Sequence, residues 1–141
     1  MKNIQYFSEG INFQLSHQTE ISSWIVKIIQ SHGFKLNELN YIFCSDRYLL
    51  EINRKHLNHD YYTDIITFDN SDQETVIESD IFISIDRVNE NATKQNTNSQ
   101  KELSRVIIHG VLHLLGFQDK TDEEKKVMRE KEDTCLSLLK I

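Results

Sequence analysis

The stretch IIHGVLHLLGFQD, residues 107–119, carries the pattern that decides how this chain is organised. Its two histidines, His109 and His113, are four positions apart, so on a helix both imidazoles lie on one face and can reach one metal ion. Gly116 favours a turn with positive φ that ends the helix. The chain can then reverse and bring Asp119 back towards the metal. Two histidines and one carboxylate, with an open fourth position, are typical of a catalytic zinc site.

Two other interpretations of this stretch stay open. The neighbours of the histidines are apolar, and a single histidine in such a helix is usually a buried, hydrogen-bonded core residue. Asp119 could serve only to cap the helix that follows. The spacing of Gly116 and Asp119 after the second histidine favours the metal site over both.

Composition restricts the class of protein. The chain has 141 residues, of which 38% are apolar and 27% charged, so one domain with its own core is expected. Its net charge of −6 argues against a broadly basic nucleic-acid surface, although a local basic groove remains possible. Cys44 and Cys135 have no CxxC partner and are predicted to be reduced core residues. With no signal-like N-terminal segment and no membrane-length apolar run, a cytoplasmic protein is expected.

Apolar periodicity and turn residues predict the elements. Short strands are expected at 3–7 and 11–15, a helix at 19–32 and a strand at 39–45. Asp46 is predicted to cap the next helix, which would extend to about residue 57. Further strands are predicted at 64–69 and 77–85, with a short helix at about 86–93.

Two capping boxes are predicted around the metal-binding stretch. Ser99 with Glu102 would start the central helix near residue 100, and Gly116 would end it. Thr121 with Glu124 would start the last helix. The loop that holds Asp119 therefore lies between a helix end and a helix start, which suits a metal ligand.

This order of elements predicts an α/β, or α+β layered, fold over residues 1–141. A mixed four- to five-stranded sheet would pack with about five helices. The metal helix is apolar nearly all round and is expected to be the buried one, as in zinc hydrolases.

Gly110 bears on the chemistry. The spacing H-x-x-x-H-x-x-G-x-x-D matches the long zinc-protease motif, in which Glu follows the first histidine and acts as general base. Gly110 cannot accept a proton, so a peptidase becomes the second choice. A metal that polarises an oxygen near neutral pH also suits the cleavage of a phosphodiester.

The same residues resemble a known family. The sequence HGVLHLLGF, residues 109–117, resembles the H-G-x-L-H-L-x-G-Y motif of the YbeY-type ribosomal RNA maturation factors. Upstream segments TDIITF (63–68), DIFI (80–83), the pair at 52–53 and the pair at 102–103 also resemble segments of that family, so the likeness covers about residues 46–135.

The resemblance implies a single-domain, cytoplasmic, zinc-dependent endoribonuclease that cuts single-stranded RNA. It implies one Zn²⁺ per chain, bound by His109, His113 and Asp119. It further implies maturation of the 3′ end of small-subunit ribosomal RNA, ribosome quality control, and ribosomal RNA and the ribosome or its small subunit as partners, without a membrane. The oligomeric state is not implied.

The chain departs from the family pattern at several positions. The family has His where this chain has Asp119, which is also a legitimate zinc ligand. An arginine suited to contact phosphate is replaced by Leu57. Tyr62 replaces a proline, and Ser79 replaces a glycine; both are interpreted as local turn adjustments.

Four further residues are candidates for the site. Arg54 and Lys55 could supply the positive charge that Leu57 lacks, and each could equally be an exposed solubilising residue. His59 and Asp64 are weak catalytic candidates, Asp64 as a general base, as a partner of a ligating histidine or as a structural carboxylate at a strand start. No general base is assigned.

Three functions therefore stay open at this level. The resemblance and Gly110 favour the endoribonuclease. Ligand spacing alone supports a zinc metallopeptidase. The missing arginine and the acidic charge balance support a non-catalytic, ribosome-associated metal-binding protein.

Overall fold

The computed structural model describes residues 3–141, within which four strands and five helices form a layered α/β fold, as predicted. The elements in chain order are β1 Ile4–Glu9, α1 Gln18–Ser31, β2 Lys35–Cys44, α2 Asp46–Leu57, β3 Ile65–Asp69, β4 Val76–Ser84, α3 Ile85–Lys94, α4 Ser99–Leu114 and α5 Asp122–Ser137.

The four strands form one mixed sheet in the order β1-β2-β4-β3. The β1–β2 and β2–β4 pairs are parallel, while β3 runs antiparallel to β4. The carboxyl ends of β1, β2 and β4 therefore lie at the same end of the sheet as the start of β3. Asp64 lies at this end, because the Ser84 N–H donates a hydrogen bond of 2.9 Å to its backbone carbonyl.

The prediction of a second short strand at 11–15 is wrong. These residues are irregular, although Leu15 is buried, and β1 pairs in parallel with β2. The ring of Tyr6 stacks on Tyr41 and Phe43 of β2, at centroid distances of 5.7 and 6.2 Å. A short alternating pattern indicates a strand, but it does not show whether a neighbouring strand is available to pair with it.

The predicted cap of α4 is displaced by one residue. Asn98 is the capping residue, its side-chain oxygen accepting a 2.7 Å hydrogen bond from the Lys101 N–H, and Ser99 is the first residue of the helix. Asn and Ser are about equally good caps, so the sequence alone did not separate them. The second predicted capping box, formed by Thr121 and Glu124 at the start of α5, is confirmed.

The cap of α2 is also one residue from its predicted position. The Ser45 hydroxyl accepts a hydrogen bond of 3.1 Å from the Tyr48 N–H. Asp46 is instead the first residue of the helix, and its carboxylate accepts hydrogen bonds from Ser84 and Arg87. Asp46 thus joins the start of α2 to the start of α3.

The predicted burial of the metal helix is confirmed, since the side chains of α4 that face the sheet are inaccessible to solvent. Tyr41 on β2 donates a hydrogen bond of 3.2 Å to the carbonyl of Ile107. Helix α5 packs beyond α4, and Trp24 of α1 donates to the carbonyl of Cys135 at 2.8 Å. Helix α2 packs on the opposite face of the sheet, against Ile66.

Two further predictions concern the cysteines and membranes. Cys44 and Cys135 are free and buried, as expected of reduced core residues. Within residues 3–141, no helix combines the length and the apolar character needed to cross a membrane.

Candidate active site

His109 of α4 lies between two carboxylates. Its Nδ1 atom is 2.7 Å from Oε2 of Glu132, and its Nε2 atom is 3.4 Å from Oδ2 of Asp119. A carboxylate can only accept, so Nδ1 carries the hydrogen and a neutral ring has its lone pair on Nε2. Two lone-pair atoms at this distance repel each other unless a proton or a cation lies between them. His109 and Asp119 therefore fit a metal ion chemically.

The protonation of His109 reflects the same surroundings. Burial acts to lower the pKa of His109, but the hydrogen bond and charge of Glu132, together with the charge of Asp119, raise it overall above the usual value. The site thus attracts positive charge in the form of a proton. A divalent cation would compete for the same position.

Glu132 of α5 is held by a second charged partner. Its side chain is only 7% exposed, and its Oε1 atom accepts a hydrogen bond of 3.0 Å from Nη1 of Arg105. Arg105 also donates through Nη2 to Asp133, at 2.7 Å. Both carboxylate oxygens of Glu132 are therefore occupied, one by a guanidinium and one by the imidazole of His109.

The turn after α4 matches its prediction. Gly116 has a φ of +108°, its N–H donates to the carbonyl of His113 at 3.1 Å, and the Phe117 N–H donates to Leu112 at 3.1 Å. This pair of hydrogen bonds is a Schellman motif, which ends a helix and reverses the chain. The turn places Asp119 against His109.

His113 stands apart from this pair. It lies in the last turn of α4 and is exposed. Across residues 3–141, no three His, Cys, Asp or Glu side chains stand in an arrangement that could already hold a metal ion. The structure thus brings together His109 and Asp119 of the three predicted ligands, and leaves His113 one helical turn away.

A cavity of about 270 Å³ opens at this point, and is called the His109 cavity below. It is lined from β3, α3, α4, α5 and the loop before α5, by Asp64, Asn91, Gln95, Glu102, Arg105, Val106, His109, Asp119, Arg129 and Glu132. Two larger clefts lie elsewhere on the surface, and neither of them is lined by a predicted metal ligand.

Two carboxyls in the cavity, those of Asp64 and Glu102, have raised pKa values. Burial is the main cause that raises the pKa of Asp64, partly opposed by the nearby His109. Burial likewise raises the pKa of Glu102, whose Oε1 atom is buried without a hydrogen-bond partner among the described residues. Either group could accept or donate a proton near the reacting atoms.

Asp64 was predicted from the sequence, whereas Glu102 and Glu132 were not. Glu102, Arg105 and His109 recur at the spacing of one helix face, so charged residues on an otherwise apolar helix were the signal. On α5, Glu132 shares the buried face with Met128 and Cys135. A charged residue on a buried face usually has a charged partner.

The predicted phosphate contacts lie outside this cavity. Arg54 is paired with Glu51 at 2.9 Å and Asp60 at 2.5 Å. Lys55 lines a separate cleft beside Gly10, Arg47 and Tyr48 on the outer side of α2. His59, a weak catalytic candidate, contacts Tyr61 instead, with a distance of 3.0 Å between its Nδ1 and the tyrosine hydroxyl.

Arg129 is a second cavity cation that was not predicted as a site residue. Its neighbour across the cavity, Arg105, is neutralised by two carboxylates. Arg129 makes no ion pair with any residue the structure describes, and its hydrogen bond to Gln95 measures 3.4 Å. Its guanidinium is therefore available to an anionic ligand.

Gly110 faces the sheet rather than the cavity. A Cβ atom at this position would lie 3.0 Å from Cδ1 of Ile81 and 3.1 Å from Cδ1 of Ile65. A glutamate here, as in the zinc proteases, would be directed into the core. The packing of α4 thus disfavours the peptidase alternative.

Comparisons with known proteins agree on one family. A family model described as Endoribonuclease YbeY matches residues 4–140. Endoribonuclease YbeY of Cytophaga hutchinsonii is 54% identical, covering 99% of this chain and 97% of the relative. That of Christiangramia forsetii is 45% identical, covering 98% and 95%. The solution structure of a Thermotoga maritima protein superposes with a TM-score of 0.66 and 27% identity, over 95% of this chain and 87% of that one.

Proposed function

Because the chain belongs to the YbeY endoribonuclease family, we propose that it cleaves RNA in ribosomal RNA processing and that the His109 cavity is the place of cleavage. The observation that supports this most is the placement of His109 between Glu132 and Asp119 in an open cavity. Neither the peptidase nor the non-catalytic alternative is favoured by the family.

We propose His109, His113 and Asp119 as ligands of one Zn²⁺ ion. The spacing of the three residues and the facing of His109 Nε2 towards Asp119 support this set. A zinc ion bound there would supply Lewis-acid stabilisation for charge that develops on the phosphodiester.

The remaining residues of the cavity have separable roles in the proposal. Glu132 accepts the Nδ1 hydrogen of His109, which fixes the ring so that Nε2 points to Asp119. Asp64 and Glu102 are the candidates to move a proton, since burial keeps their pKa values closer to neutrality than those of exposed carboxyls.

Arg129 is the proposed phosphate contact. The cavity carries four carboxylates, so an RNA phosphate needs a compensating cation besides the metal. Arg105 is already paired, whereas Arg129 has no ion-pair partner in residues 3–141. It could take over the role of the family arginine that Leu57 replaces. Arg54 and Lys55 remain proposals for contacts outside the cavity.

The family resemblance also supports finer proposals. The substrate would be single-stranded RNA at the 3′ end of the small-subunit ribosomal RNA, and the small ribosomal subunit the partner, in the cytoplasm. The same resemblance supports a role in ribosome quality control.

The test is cleavage of single-stranded RNA by the purified protein, with chelator and after zinc is restored. We expect activity to disappear with chelator and to return with zinc, with one zinc per chain by elemental analysis. Asp119→Ala should lose zinc, whereas Asp119→His should keep it, since imidazole also completes a tetrahedral site. Full zinc occupancy in Asp119→Ala, at free zinc too low for a two-histidine site, would contradict the ligand set. RNA left uncut by the zinc-loaded parent would contradict the function.

A further inference from the structure

The loop between α2 and β3 carries two consecutive tyrosines whose side chains are exposed to solvent. Tyr61 is 55% exposed and Tyr62 is 53% exposed. They stand two or three residues before Asp64, which lines the His109 cavity. Exposed aromatic side chains beside a cavity often belong to a binding surface, and tyrosine is common in such surfaces.

The backbone of this loop is firmly held. Asn53 of α2 is 1% exposed, and its side-chain amide donates a hydrogen bond of 2.9 Å to the carbonyl of Tyr61. The N–H of His59 in turn donates to the carbonyl of Asn53, at 3.1 Å. At the other end, the Asp64 carbonyl is bound to the Ser84 N–H. The backbone that carries the two tyrosines is therefore preorganised, and little backbone entropy would be lost when they bind a ligand.

Each ring has one supporting neighbour. The ring of His59 stacks on Tyr61 with a centroid distance of 5.1 Å and an interplanar angle of 21°. The guanidinium carbon of Arg87 lies 5.4 Å from the centroid of Tyr62. The other parts of both rings face solvent. Arg87 is itself paired with Asp46 at 2.7 Å and Glu90 at 3.2 Å, so it holds the ring of Tyr62 rather than adding a free positive charge.

We propose that Tyr61 and Tyr62 form a stacking surface for unpaired bases of the RNA strand that enters the His109 cavity. This inference rests on the proposed function. Single-stranded RNA is commonly bound by aromatic rings on which successive bases stack, and this contact tolerates any base. A duplex offers no free base faces, so such a surface selects unpaired RNA. The continuity of the loop with Asp64 connects the surface to the cavity.

The experiment compares Tyr61→Ala and Tyr62→Ala with Tyr61→Phe and Tyr62→Phe. Phenylalanine keeps the ring and removes only the hydroxyl. Phe7→Ala is the matched control, because Phe7 is 47% exposed on β1, at the opposite edge of the sheet from β3. Each zinc-loaded protein is titrated into a fluorescent 2′-O-methyl strand and into the corresponding duplex. Cleavage of the unmodified strand gives kcat and KM.

Each Tyr→Ala change should weaken binding of the single strand by about fivefold to a hundredfold, the range found for the loss of one stacked base. KM should rise with the dissociation constant, and zinc content should not change. Tyr→Phe and Phe7→Ala should bind within about twofold of the parent, since neither removes a stacked ring at the surface. The parent should bind the duplex more weakly than the single strand, and none of these substitutions should change the affinity for the duplex.

The possible failures are distinguishable. If the parent cleaves RNA and both Tyr→Ala variants bind the strand like the parent, the stacking surface is refuted and the proposed function stands. The same holds if Phe fails to restore binding, because the hydroxyls would then matter rather than the rings. If the zinc-loaded parent neither binds nor cleaves RNA, both proposals fail. Thermal midpoints equal to that of Phe7→Ala would show that the variants are folded.

Discussion

Replacing Glu132 by alanine tests whether this buried carboxylate holds the site together. Its two oxygens bind Arg105 at 3.0 Å and His109 at 2.7 Å, and its side chain is 7% exposed. Removing one partner from a buried charged network destabilises a protein by about 3–5 kcal/mol. Arg105 keeps its bond to the exposed Asp133, so the lower end of about 3 kcal/mol is expected for Glu132→Ala.

Two related variants separate charge from shape. Glu132→Gln keeps an oxygen that can accept the Nδ1 hydrogen of His109 but loses the ion pair, so it should be less damaging than alanine. Asp133→Ala is the matched control, because Asp133 binds the same Arg105 from a position that is 59% exposed. An exposed pair is worth at most about 1 kcal/mol.

Urea unfolding of the metal-free proteins, followed by circular dichroism at pH 7, measures these free energies. Competition with a chromogenic chelator measures zinc affinity, which should fall by about 10- to 100-fold in Glu132→Ala when the imidazole loses its orienting partner. The reasoning is refuted if Asp133→Ala destabilises as much as Glu132→Ala. It is also refuted if Glu132→Ala binds zinc as tightly as the parent.

Three further outcomes follow from the same geometry. Gly116→Ala should lose about 1 kcal/mol or more of stability and weaken zinc binding, because alanine is strained at a φ of +108°. The strain would come from the backbone alone, since no atom lies close enough to clash with the added Cβ. Zinc affinity equal to that of the parent would contradict the role of this turn in placing Asp119. Arg129→Ala should weaken RNA binding and reduce the slope of log affinity against log salt concentration by about 0.7, the value for one phosphate contact on a single strand. Lys126→Ala on the same helix should leave this slope unchanged. A slope for Arg129→Ala equal to that of the parent would exclude the contact. Asp64→Asn should raise the thermal midpoint of the metal-free protein at pH 7, because burial raises the pKa of Asp64 in the folded state and the charged form is therefore unfavourable above that pKa. This gain should shrink as the pH falls towards the ordinary aspartate pKa, and a pH-independent gain would show that desolvation of the charge is not its cause.

Several features of the site were predictable because they depend on neighbours in the chain. The positive φ of Gly116 and the capping box of Thr121 are properties of short segments, and both were found as predicted. The burial of α4 followed from its apolar composition. The α/β class and the number of helices followed from the order of the patterns.

Long-range partners were not predictable in this way. The strand pairing of β1 depends on the packing of Tyr6 against β2, more than thirty positions away, and the strand expected at 11–15 is absent. Whether Arg54 is free or paired depends on where the following loop places Asp60. Arg129 lines the cavity only because α5 packs against α4.

The sequence by itself thus determined the helix that carries His109 and His113, the turn at Gly116 and the family, because these depend on residues a few positions apart. Only the tertiary structure decided that Glu132 binds Nδ1 of His109 and leaves Nε2 facing Asp119. That arrangement depends on how two helices dock, and the energy of docking is spread over many apolar contacts that no single residue in the sequence displays.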